Sequence, residues 1–206
     1  MDLKSLIETH LDLPRLAKDL DELGPPGRLW AVRQWTRSNL AVLWDAARGF
    51  RAVTLDDFVP GSAEPRLEVI HEGKNSLPIF GHFQKRFCKP SPPQDEPVLV
   101  GFNKQPLAAV TGPGYFTVRQ APDAGEVHID YTTLPRDRAP GWPPLEPNTT
   151  RLGPLVYAGV IDVMRGLSSH VVIGRAKKAG AMIDNWFALV RQDADSTAEG
   201  RAGLVS

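Results

Sequence analysis

The chain has 206 residues with 24 basic and 24 acidic side chains, so its formal net charge is zero. A balanced charge without a Lys- or Arg-rich run argues against a nucleic acid partner and against attraction to an anionic membrane surface. With 42% hydrophobic residues, the composition predicts a globular protein with one sizeable core. The single cysteine, Cys88, excludes an internal disulfide and a multi-cysteine zinc site.

The beginning of the chain carries charges throughout, and no apolar run approaches the length needed to cross a bilayer. We therefore expect a cytoplasmic protein without membrane insertion. The sequence leaves open whether it forms a homo-oligomer.

Apolar residues at helical spacing dominate residues 1–49, which we assign to N-terminal helices. Residues 2–23 predict one helix or two short ones, because Pro14 can only open the second. Residues 29–47 predict a longer helix that Gly49 would cap. We expect its tryptophans to pack on the core.

Residues 67–71 alternate in polarity as a strand does. The next segment, 77–88, predicts a helix instead, because Phe80, Phe83 and Phe87 recur at helical spacing. We expect these three rings to be buried on one side of that helix. Its basic residues would then face solvent or a ligand.

After a proline-rich break, four short segments predict strands joined by short turns: 98–103, 107–111, 115–119 and 126–131. This spacing is typical of an antiparallel meander. The meander ends in a proline-rich loop at residues 134–154, and loops of this length usually cover or contribute to a functional site.

The clearest local signal is a hairpin of two strands, 170–176 and 185–191, around a turn that ends at Gly180. Residues 160–167 before it predict a short helix. Residues 193–206 predict a flexible tail. The chain is therefore expected to be α+β and mainly β. Residues 50–192 would form one antiparallel β-barrel or strongly curved sheet, with the N-terminal helices packed outside.

Several segments also resemble a known pattern. They are Gln84-Lys85-Arg86-Phe87, Ile161-Asp162-Val163-Met164-Arg165, Ile173-Gly174, Lys178-Ala179-Gly180 and the strand from Trp186 to Arg191. Together they resemble an uncharacterised bacterial family in which a so-called GXWXG domain precedes a domain of unknown function. The Gly-x-Trp-x-Gly motif itself is absent, Gln84 stands in place of Gly, and Met164 in place of Phe. The resemblance implies a lipocalin-like (calycin-like) barrel and carries no established activity.

Two polar pairs are candidates for a site. His128 and Asp130 lie two residues apart, on one face of a strand, where Asp130 could orient an imidazole base. They could instead form a pair on the strand surface that faces water, which is the commoner case. With no third ligand in evidence, we predict no metal. Asp162 and Arg165, three apart on the predicted helix, would form an ordinary ion pair or face into the barrel.

The long loop supplies the other candidates. Trp142 could close on a ligand from above, and Tyr157 follows the loop directly. We expect Trp142, Tyr157 and both polar pairs to meet at the open rim of the barrel.

Two classes of function remain. The first is binding of a small apolar or amphipathic molecule in the barrel cavity, with its polar group against Arg165. The alternative is a barrel-fold isomerase, cyclase or hydro-lyase that uses acid–base side chains in the cavity. Phosphate-loop and hydrolase-elbow motifs are absent, and no cofactor is predicted. A partner-binding module built on the N-terminal helices is a weaker third option.

Overall fold

The computed structural model describes residues 4, 7, 11–77, 81–92, 98–106, 108–122 and 125–192. Eight antiparallel strands each pair with the next, and the last pairs with the first to close a barrel. The predicted mainly-β barrel with helices outside is therefore confirmed. The strands are β1 (Val69–Asn75), β2 (His82–Cys88), β3 (Leu99–Lys104), β4 (Tyr115–Gln120), β5 (Val127–Asp130), β6 (Val160–Gly166), β7 (Val171–Lys178) and β8 (Ala181–Arg191).

Helices cover one side of the barrel, among them α1 (Leu13–Glu22), α2 (Pro25–Arg33) and α3 (Arg37–Ala46). Their apolar faces pack on outward side chains of β6, β7 and β8. The single long helix predicted for residues 29–47 is wrong. It is interrupted because Thr36 and Asn39 form a reciprocal capping box that starts α3. None of the helices in the described part of the chain is long and apolar enough to cross a bilayer.

Two segments predicted as helices are strands. Residues 82–88 form β2 and residues 160–166 form β6. Both faces of β6 are buried, one inside the barrel and one largely under the helices, so apolar residues stand on both sides. A strand with two buried faces loses the alternation that would distinguish it from a helix.

The reverse error affects residues 107–111. Ala108–Thr111 form a single helical turn, α4, instead of the predicted strand, and Leu107 lies outside the described residues. Phe80, the first ring of the predicted 77–88 helix, also lies outside them, as does the predicted tail at 193–206. The β7–β8 hairpin is confirmed, with positive φ at Ala179 and Gly180 in its turn.

One end of the barrel is closed by the chain that leads into it. A 3-10 turn at Leu55–Asp57 is held by a capping box between Thr54 and Asp57, and it inserts Phe58 among inward side chains. Phe58 is fully buried, with its ring centroid 5.3 Å from that of Phe87. This half of the barrel interior is packed mainly with apolar side chains. The other end of the barrel is open.

His71 is buried at the closed end, where its Nε2 donates to the Phe58 carbonyl oxygen at 3.0 Å. Its Nδ1 has no hydrogen-bond partner among the residues that the structure describes. Burial lowers the pKa of His71 to about 3, because a charged imidazole would lose its hydration there.

We predict that His71 makes the protein acid-sensitive. The pKa of His71 in the folded protein is below its unfolded value of 6.5. The contribution of neutral His71 to the free energy of unfolding is therefore complete above pH 6.5 and is lost as the pH falls towards about 3. The loss should approach about 1.4 kcal/mol per pH unit within that window. Urea titrations from pH 7 to pH 4 should show a shallower dependence for His71→Gln than for wild type. His128→Gln, on the outer face of β5, is the control; an unchanged dependence in His71→Gln would contradict the assignment.

Candidate functional site

The open end of the barrel contains a cavity of about 430 Å³. Most of its lining is apolar or aromatic, with neutral amides and four charged side chains, two of each sign, among it. The lining residues are Asn75, Leu77, Phe83, Lys85, Asn103, Gln105, Tyr131, Leu155, Val156, Tyr157, Val160, Asp162, Ala176, Lys178, Ile183, Asp184, Asn185 and Phe187.

At the inner end of the cavity lies a buried lysine. Alternate residues of β2 point into the barrel, so Lys85 stands between Phe83 and Phe87, and it is only 3% exposed. Its ammonium donates to Asn103 Oδ1 at 3.0 Å, to Asp162 Oδ2 at 3.1 Å and to the Tyr131 hydroxyl. Lys85, Asn103, Tyr131 and Asp162 are called the polar cluster below.

Aromatic rings surround the ammonium of Lys85. The centroids of four rings lie 4.9–5.6 Å from its Nζ: Phe83, Phe116, Tyr131 and Phe187. The faces of these rings carry partial negative charge and attract a cation. They therefore supply part of what the ammonium loses when it leaves water.

Glycines directly across the sheet make room for three of these rings. Gly73 pairs with Phe83, Gly101 with Phe116 and Gly174 with Phe187. A Cβ at any of the three would come within 2.3–2.5 Å of the facing ring. The rings can lie against the barrel wall only because these positions have no side chain. Three cross-strand Gly–Phe pairs thus build the cage around Lys85.

Burial shifts two pKa values of the polar cluster in opposite directions. It lowers the pKa of Lys85, against the attraction of the Asp162 carboxylate. It raises the pKa of Tyr131 well above the usual range, and the Asp162 charge adds to that shift. The tyrosine is therefore held neutral, while the lysine gives up its proton more readily than in water.

Two of the six predicted site residues line the cavity. Asp162 belongs to the polar cluster, and Tyr157 stacks on Tyr131 with ring centroids 5.3 Å apart. The Tyr157 hydroxyl also accepts a hydrogen bond from Gln105 at 2.8 Å. Asp162 lies on β6, and Tyr157 follows the long loop.

His128 and Asp130 do not reach the cavity. Their neighbours Val127 and Ile129 point into the barrel core, so the pair lies on the outer face of β5. Asp130 accepts hydrogen bonds from the backbone and hydroxyl of Thr132 at 2.7 and 2.6 Å. It therefore shapes the turn after β5, on the outside of the barrel and not in its cavity.

Arg165 also lies outside the barrel. Because β6 is a strand, residues three apart face opposite sides, and the predicted pairing of Asp162 with Arg165 is wrong. Arg165 donates to Glu126 at 2.6 Å and to the Trp44 carbonyl oxygen at 2.8 Å, and its guanidinium stacks 3.8 Å from the Trp44 ring centroid. It attaches α3 to the barrel wall.

Trp142 packs on the outer face of β3, with its ring centroid 4.9 Å from that of Phe102 and its Nε1 donating to Glu68 at 2.6 Å. The loop at 134–154 thus covers the barrel wall, and its predicted closure over the mouth by Trp142 is wrong. None of residues 134–154 lines the cavity, whereas helix α5 (Gly153–Val156), which begins at the end of the loop, contributes Leu155 and Val156. Cys88 lies in the same outer cluster, where burial raises its pKa to about 12.

Three members of the polar cluster were not predicted as site residues: Lys85, Asn103 and Tyr131. The alternation Phe83-x-Lys85-x-Phe87 carried the signal, since on a strand it places a lysine between two inward aromatic rings. Among the described residues, no three histidine, cysteine or acidic side chains are grouped as a metal site would need.

No family model, curated protein or solved structure matches the chain. The resemblance to the GXWXG-associated family therefore stays a prediction.

We predict strong coupling between Lys85 and Asp162. Removing one charge of a buried pair leaves the other uncompensated, so Lys85→Met and Asp162→Asn should each destabilise the protein by about 3–5 kcal/mol. The double variant has no buried charge at this point and should cost clearly less than the sum. Urea titration of all four proteins at neutral pH measures the coupling, and additive costs would show that the two charges do not stabilise each other.

Proposed function

We propose that the open end of the barrel binds a small amphipathic molecule. The observation that carries this proposal is a largely apolar cavity of about 430 Å³ that ends on the buried polar cluster. Ligand pockets commonly measure about 300–1,000 Å³ and combine apolar walls with a few placed polar groups. The cavity has both properties.

The mouth of the cavity supports the same proposal. Leu155 is 74% exposed, and Val156, Met182 and Ile183 at the same end are more than one-third exposed. Exposed apolar side chains around an opening give an entering apolar molecule a surface to contact before it is enclosed.

The orientation of the ligand follows from where its partners lie. Rings of Phe83, Phe187 and Tyr157 would contact its apolar body. Its polar group would meet the polar cluster at the inner end. This replaces the predicted partner Arg165, which points away from the cavity and is engaged by Glu126 and Trp44.

Filling the cavity should abolish binding. Ala176 is buried and lines the cavity, so Ala176→Leu places extra volume where the ligand would lie. Native mass spectrometry should show a retained small molecule on the purified wild-type protein, or one acquired from a panel of fatty acids, aromatic acids, alcohols and terpenoids.

Ala52→Leu, at an exposed position before the closed end, is the matched control and should bind as wild type does. Equal binding by wild type and Ala176→Leu would place the ligand elsewhere. A wild type that neither retains nor acquires any molecule would contradict the proposed function.

An enzyme is the second candidate, and the opposed pKa shifts of Lys85 and Tyr131 around one carboxylate favour it. A neutral tyrosine could polarise a carbonyl oxygen while the amine or carboxylate moves a proton at the adjacent carbon. The test is deuterium uptake by 2-tetralone in D₂O, compared between wild type and Tyr131→Phe. Acid–base catalysis predicts uptake faster than in buffer that falls at least about a hundredfold in the variant, while equal rates with and without protein would exclude this chemistry.

A further inference from the structure

We propose that the polar group of the ligand is uncharged, a hydroxyl or a carbonyl, because the two charges at the inner end of the cavity already match each other. This inference rests on the proposed function and names the class of molecule that the same site accepts.

The inner end of the cavity carries no net charge. Lys85 Nζ lies 3.1 Å from Asp162 Oδ2, and both side chains are almost completely buried. The remaining contacts of the ammonium are to an amide oxygen and a hydroxyl, Asn103 and Tyr131. A ligand that reaches this point meets a compensated pair and neutral hydrogen-bonding groups.

Neutral hydrogen-bonding groups line the walls above the pair. Asn75, Gln105 and Asn185 contribute side-chain amides, and Tyr157 contributes a hydroxyl. The other two charged residues of the lining lie at the mouth, where Asp184 is largely exposed and forms an ion pair with Arg175, and Lys178 is half-buried. Amides and hydroxyls can both donate and accept, so they satisfy a hydroxyl or a carbonyl equally well.

A charged ligand would lose more than it gains here. A carboxylate gives up its hydration on entry, and its attraction to Lys85 is offset by its repulsion from Asp162. An ammonium meets the same balance with the signs reversed. A hydroxyl gives up far less hydration and keeps its hydrogen bonds.

Isothermal titration calorimetry with two series of matched probes tests the preference for an uncharged polar group. The first series is octanol, octanoate and octylamine. The second carries the same three polar groups on a naphthylmethyl body. Wild type should bind the alcohol at least about tenfold more tightly than the carboxylate or the amine. Equal or tighter binding of the carboxylate would overturn the inference and leave the proposed function standing.

Removing one charge should invert this preference. Asp162→Asn leaves the Lys85 ammonium without its carboxylate, so the carboxylate probe should now bind more tightly than the alcohol. The double variant Lys85→Met/Asp162→Asn is again neutral and should keep the alcohol preference. Glu126→Gln is the matched control, because it removes a carboxylate from the Arg165 pair outside the cavity and should keep the wild-type order.

These experiments distinguish ligand binding in the cavity from the preference for an uncharged polar group. An Asp162→Asn protein that folds and still prefers the alcohol would show that the ion pair does not set the preference. If that variant does not fold, the wild-type order of the three probes decides alone. Failure of wild type to bind any member of either series would contradict the proposed function itself.

Discussion

The structure depends on how one ammonium group is accommodated inside an apolar barrel. Moving a charged lysine out of water costs several kcal/mol, and a barrel interior offers no solvent to offset it. Lys85 is compensated by the carboxylate of Asp162, by the oxygen atoms of Asn103 and Tyr131, and by the surrounding rings. Asn103 lies on β3, Asp162 on β6 and Tyr131 directly after β5, so these partners of Lys85 come together only when the barrel closes.

The rings that surround the Lys85 ammonium also shape the cavity. The closed end is filled by Phe58 and its neighbours, whereas at the open end the three Gly–Phe pairs hold their rings against the wall. A bulkier residue at Gly174 would displace Phe187 into the cavity or out of contact with Lys85. The glycines therefore determine both the free volume and the environment of the charge. A site built in this way has a fixed shape, which suits a ligand that is recognised by shape and by neutral hydrogen bonds.

The features that could be predicted from the sequence are those determined by residues close together in the chain. The β7–β8 hairpin follows from its turn at Gly180, and the antiparallel barrel follows from a succession of short strands. The errors arose where both faces of a segment are covered, as in β6, or where apolar residues mimic helical spacing, as in β2. Asp162 was identified as a candidate, but its partner was sought three residues away in sequence. The true partner, Lys85, lies 77 residues away and becomes a neighbour only when the barrel closes.

Nitrogen-15 NMR of the lysine side chains tests the central claim most directly, with the Lys85 signal assigned from its absence in Lys85→Met. The account predicts a pKa for Lys85 below its ordinary value of 10.5, together with slowed exchange of its ammonium protons. We also expect a shift of this signal, and of no lysine outside the cavity lining, when octanol is added. A Lys85 signal with an ordinary pKa, fast exchange and no response to any occupant of the cavity would contradict the account.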